Sequence, residues 1–66
     1  MDDIEAYKIA IDLMMKEIHQ LKEYADRYER EPKLWPEHRG KHERYIALVA
    51  AIALLEAKTH QMRFNI

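Results

Sequence analysis

The sequence predicts an all-α fold: a helical hairpin of two long antiparallel helices that self-associates into a four-helix bundle. Three observations lead there. Apolar residues at Ile4, Tyr7, Ile11, Met14, Ile18, Leu21, Ala25 and Tyr28 recur in alternating steps of three and four, an unbroken heptad stripe. A second stripe runs through Tyr45, Leu48, Ile52, Leu55, Thr59 and Met62. Between the two, Pro32 and Pro36 bracket a short connection. An all-β chain needs a turn roughly every 8–12 residues, and a sequence with one Gly and no Ser lacks the residues for it. At 66 residues the chain makes a single domain, with a helix over about residues 2–30, a loop over about 31–36 and a helix over about 37–63.

The first helix has a start signal. The Asp2 carboxylate can accept from N–H groups of the first turn, and Glu5 stands three residues on, as in a capping box. Both acids suit the positive end of the helix dipole. Off the apolar stripe, Asp12–Lys16, Glu23–Arg27 and Asp26–Arg30 each set an acid four residues before a base, the favourable order. Glu29–Lys33 has the same spacing but runs past Pro32, so no pair is expected there. Pro32 disfavours helical geometry at Glu31, which ends the helix near Arg30.

The second helix starts less well. Pro36 suits the first helical position, but no Ser, Thr, Asn or Asp precedes it as a cap. Gly40 follows in the next turn and costs roughly 1 kcal/mol against Ala. A 3₁₀-like start is therefore expected, with solid helix from near Lys41 to about Arg63.

Both helices carry more apolar surface than a hairpin can bury. From Ala47 to Leu55 there is no polar residue on any side of the second helix, and a helix that is apolar all round is normally buried all round. Each helix of a lone hairpin has only one neighbour. The expected self-association interface is Ile9, Leu13 and Met15 on the first helix with Ile46, Val49, Ala50, Ala53, Leu54 and Ala57 on the second. The alanines permit close helix approach, either within a homo-oligomer or as a groove for a partner helix. Size points to a homodimer or higher homo-oligomer as well. Below about 70–80 residues one core rarely supplies more than about 3–5 kcal/mol, and with no Cys there is no disulfide to add to it.

Several classes are excluded or disfavoured. The longest apolar run, Tyr45–Leu55, is shorter than the roughly 20 residues a membrane-spanning helix needs. Asp2 and Asp3 have the wrong sign for the start of a signal peptide. A cytoplasmic protein without membrane attachment is expected. A net charge of −1 gives no global field for nucleic acid or acidic lipid. One Gly excludes a phosphate-cradling Gly-rich loop.

Catalysis and metal binding have little to use. His38 and His42 are four apart beside Glu37 and Glu43, a spacing that sets two imidazoles on one helix face, but Gly40 lies between them and further ligands are missing. His19 and His60 lack the Glu-x-x-His spacing of di-iron bundles, as do the other two histidines. Thr59 is the only hydroxyl nucleophile besides tyrosine, and it lies on the apolar stripe. Nearly all of the acids fall on the expected solvent faces, half of them beside a Lys or Arg. No enzyme activity, cofactor or metal is expected.

Charge is unevenly placed. Up to Asp26 there are seven acids against three Lys, while residues 27–44 hold six Lys or Arg against four Glu. The basic hairpin tip, with Arg30, Lys33, Trp35, Arg39, Lys41 and Arg44, is the expected partner-binding surface. Trp and Arg dominate protein hot spots, so the expected function is a small non-enzymatic adaptor or inhibitor that binds another protein. The alternative is a nucleic-acid-binding hairpin dimer that uses the same tip through phosphate contacts and base stacking.

Overall fold

The computed structural model describes residues 1–64, with side chains as far as Gln61. Helix α1 spans Asp3–Arg30, a 3₁₀ turn spans Pro36–His38, and helix α2 spans Arg39–Phe64. The two helices pack along each other in a hairpin of 50 × 18 × 13 Å.

Each boundary follows from its residues. Asp2 is extended (φ −82°, ψ 168°), and the Glu5 N–H donates to its Oδ1 at 2.7 Å. At the other end Glu31 leaves helical geometry (φ −139°, ψ 71°), as the residue before Pro32 must. Its N–H still donates to the Arg27 carbonyl at 3.0 Å and closes the last turn. The Leu34 and Trp35 N–H groups both donate to the Glu31 carbonyl, which folds the connection into one tight turn. Trp35 offers no side-chain cap to the 3₁₀ turn that Pro36 opens. Regular α-helix begins at Arg39 and not at Lys41. The 3₁₀ turn supplies a preformed nucleus: Arg39 is already helical (φ −56°, ψ −46°), with its N–H on the Pro36 carbonyl.

The heptad stripes face each other. Ile18, Ala25, Ile52 and Thr59 are buried, while Ile4, Tyr7, Ile11, Met14, Leu21, Tyr28, Tyr45, Leu48 and Leu55 are half-buried. The side chain of Met62, the last stripe member, lies outside the described residues. In a tight bundle core Ile11, Ile18, Leu48, Ile52 and Leu55 would all be nearly inaccessible, and in the single chain only Ile18 and Ile52 are. Two helices meet along one line, so side chains flanking that line keep an open side. Thr59 satisfies its hydroxyl locally by donating to the Leu55 carbonyl at 2.8 Å, which lets a polar residue sit in the seam.

Of the expected ion pairs, Asp12–Lys16 (3.6 Å) and Glu23–Arg27 (2.6 Å) form. Arg30 instead donates its Nε to the Asp26 backbone carbonyl at 3.4 Å. Two pairs were not foreseen: Arg39–Glu43 at 3.2 Å, and Arg44–Glu17, which ties α2 to α1. Exposed pairs of this kind contribute at most about 1 kcal/mol each. Among the described residues no helix is long and apolar enough to cross a membrane.

Candidate functional site

Two surfaces stand out, one at the tip and one along the middle of the hairpin. The tip is built on spacing. Tyr24 and Tyr28 are one helical turn apart at the end of α1, and His38 and His42 are one turn apart at the start of the second helical segment. The turn between them brings the pairs together. Tyr24 meets His38 at 4.9 Å between ring centroids, and Tyr28 meets His42 at 5.0 Å. Trp35 stacks on His38 at 5.5 Å with the rings 16° from parallel. Two cations complete the cluster. Lys41 Nζ lies 3.7 Å from the Tyr24 ring centre, and the Arg27 guanidinium lies 5.2 Å from that of Trp35 and 5.9 Å from that of Tyr24.

Of the six tip residues singled out in the sequence, Arg30 and Trp35 line one cavity of about 190 Å³ together with Arg27 and Glu31, and most of the six have partners within the chain. Trp35 is half-buried against His38, Lys41 lies on Tyr24, and Arg30 lies on the Asp26 carbonyl. Arg39 pairs with Glu43, and Arg44 is drawn to Glu17 further along α1. Lys33 is exposed in the turn, next to Leu34, which is 61% exposed. Tyr24 and Arg27, which organise the cluster, were not singled out in the sequence. The signal was present in the matched i,i+4 spacing of two tyrosines and two histidines on either side of a short turn. His38 and His42 here pack against the tyrosines with their rings tilted by 57° and 45°. Among the described residues no three His, Asp or Glu side chains gather as a metal site would require.

The middle of the hairpin is the opposite case. Ile46, Val49 and Leu54 of α2 are 52%, 45% and 72% exposed, and Ala50, Ala53 and Ala57 are exposed between them. They form one outward band, because they follow one another at helical spacing. On α1, Ile9 and Leu13 are also exposed, with Met15 partly so. Ile9 and Leu13 do not form one patch with the α2 band. Ile9 and Leu13 stand roughly half a turn round α1 from buried Ile18, at 3.6 residues per turn. Met15 alone reaches α2, across a shallow groove of about 300 Å³ whose floor is Ile18, Tyr45 and Ile52 and whose opposite flank is Val49. His19 and Lys22 edge that groove.

No protein-family model matches the chain, and neither a curated protein nor a solved structure matches it significantly.

Proposed function

We propose that this chain is a non-enzymatic helical interaction protein, a homo-oligomer that acts as an adaptor or inhibitor by docking on another protein. The observation that carries the reading is the outward apolar band of α2. Burying one exposed side chain the size of Ile, Val or Leu is worth about 1.5–3 kcal/mol, and three of them stand together on a chain that otherwise buries very little. Large exposed apolar patches on small chains mark association surfaces. Ile9 and Leu13, on the far side of α1, then provide a second apolar surface for another protein.

The nucleic-acid reading has weaker support. Lys41 and Arg27 rest on aromatic rings, while Arg39 and Arg44 pair with carboxylates. A phosphate-binding footprint needs such cations facing outward together.

Light scattering at micromolar concentration tests the reading. The expected mass is at least twice the chain mass of 8.0 kDa, and a stable monomer would overturn it. Proteins retained on the immobilised chain should be lost with Leu13→Glu and kept at moderate salt. Retention of generic RNA that collapses with Lys41→Glu and at roughly 0.3 M salt would favour the nucleic-acid reading instead.

A further inference from the structure

We propose that two copies of this chain pair through the outer face of α2, antiparallel, along a seam of Ile46, Ala50, Ala53 and Ala57. The inference rests on the homo-oligomer reading above and adds which surface is used and in which direction. Helix α2 carries two stripes. The inner one, from Tyr45 to Thr59, faces α1, and each of its described members is at least half-buried. The outer one steps by four, three and four residues through Ile46, Ala50, Ala53 and Ala57, all exposed. Heptad spacing on an outer face is the pattern that a further helix fits.

The occupant is a second copy because the seam is complementary to itself. Take a two-fold axis between Ala51 and Ile52, with the helices running in opposite directions. Ile46 then falls opposite the partner's Ala57, and Ala50 falls opposite the partner's Ala53. Large meets small at each end of the contact line and small meets small at its centre, and the alanines let the helix axes approach to about 8 Å. Val49 and Leu54 flank the seam on its two sides, each close to its own counterpart. The stripe ends in polar residues, Glu43 before Ile46 and His60 after Ala57. The same register sets Glu43 opposite the partner's His60, an acid against a residue that carries no negative charge. Parallel pairing would instead set Ile46 against Ile46 and Glu43 against Glu43, with a like-charge cost. A two-fold interface must be self-complementary, and this face is so in one direction only. The small core argues for the same occupant. A chain this short needs the surface covered whenever it is folded, and its own copy is always present.

Disulfide trapping tests the geometry cleanly, because the chain has no Cys. In the proposed pair the two copies of residue 53 are offset by about 4–5 Å along the axis, at 1.5 Å per residue. With the axes about 8 Å apart and each Cα about 2.3 Å from its axis, facing Cα atoms at that offset lie roughly 6 Å apart, within the roughly 4–7 Å that a disulfide spans. The two copies of residue 57 are roughly 16 Å apart on the same basis. Under mild oxidation Ala53→Cys should convert mostly to the covalent dimer, with Ala57→Cys at least tenfold less. An equimolar mixture of Ile46→Cys and Ala57→Cys should give the mixed disulfide. Circular dichroism of the reduced variants checks that each keeps its helix content. If Ala57→Cys links as readily as Ala53→Cys, the antiparallel register is wrong. If no variant on this face links while light scattering still gives a dimer, the inference fails and the homo-oligomer reading survives on another face. A monomer in light scattering overturns both.

Discussion

At the tip of the hairpin and along its middle, the same chain treats its side chains in opposite ways. Near the turn, cations lie on rings, rings lie on imidazoles and the turn's N–H groups find carbonyls, all within one chain. Along the middle of α2, Ile46, Val49 and Leu54 keep about half or more of their surface exposed, and their own chain covers only the rest. The difference is geometric. A tight turn adds a third element beside the two helices, so the tip has three-sided packing. Beyond the turn each helix has one neighbour, and a second apolar face must look elsewhere. The tip therefore contributes to making the hairpin, and the middle carries what the hairpin has left over. That division predicts which substitutions change stability alone and which change assembly as well.

The largest effect should come from the seam between the helices. Ile52 is 7% exposed and faces α1. Ile52→Ala removes buried carbon and leaves a cavity, at a cost of about 2–5 kcal/mol per chain. Thermal unfolding at fixed protein concentration should show a large fall in midpoint. An unchanged midpoint would mean that the inner stripe is not the core, and the contrast between tip and middle would lose one of its two sides.

How much of this was readable beforehand differs by region. The inner stripes were legible because heptad spacing reports the face that a helix buries, and every described member from Ile4 to Thr59 lies inward. The cap at Asp2 and the stop at Glu31 were legible because each depends on residues within one turn. The depth of burial was not, since Ile11, Leu48 and Leu55 stay half-open in one chain. Periodicity gives direction and says nothing of how many neighbours a side chain has. The partners of the tip cations were not legible for a related reason. Lys and Arg counted as free charge in the sequence, whereas Lys41 and Arg27 lie over rings whose position depends on how the turn closes. The Arg44–Glu17 pair joins residues far apart in the chain, and no local spacing announces it.

The next effect sharpens the comparison from the tip side. Tyr24 touches His38, Lys41 and Arg27. Tyr24→Leu keeps an apolar body but loses a cation–π contact worth about 0.5–1 kcal/mol at an exposed site. It also loses an aromatic pair worth about 0.5–1.5 kcal/mol. Denaturant unfolding should register a loss of about 1–2 kcal/mol, while the mass in light scattering stays as in the parent. A fall in mass would show that the tip takes part in assembly and would erase the division of labour.

A smaller effect is expected at the opposite end of α1. Asp2 accepts from the Glu5 N–H at 2.7 Å. Asp2→Ala should cost about 1 kcal/mol, the usual loss for a helix cap, and Asp2→Asn only a few tenths, because Asn caps as well as Asp. Denaturant midpoints separate the two. Equal losses would assign the effect to charge at the helix dipole and not to the cap.

The smallest effect has the opposite sign and tests the tip most sharply. Gly40 lies in the first turn of α2 without a positive φ, and a Cβ built there meets nothing within 4 Å. Ala at such a position restricts the unfolded chain and suits a helix, so Gly40→Ala should stabilise by about 0.5–1 kcal/mol. Lys16→Ala, on the outer face of α1 with only an exposed partner, should stay within about 0.5 kcal/mol of the parent and serves as the reference. The proposed α2 seam lies wholly beyond Gly40 in the chain, from Glu43 onward, so the gain should be the same at low and high protein concentration. A loss of stability in place of the gain would mean that the new methyl meets an atom the single chain does not possess. The tip would then be covered in the assembled protein, and the surface that looks finished within one chain would be part of the interface.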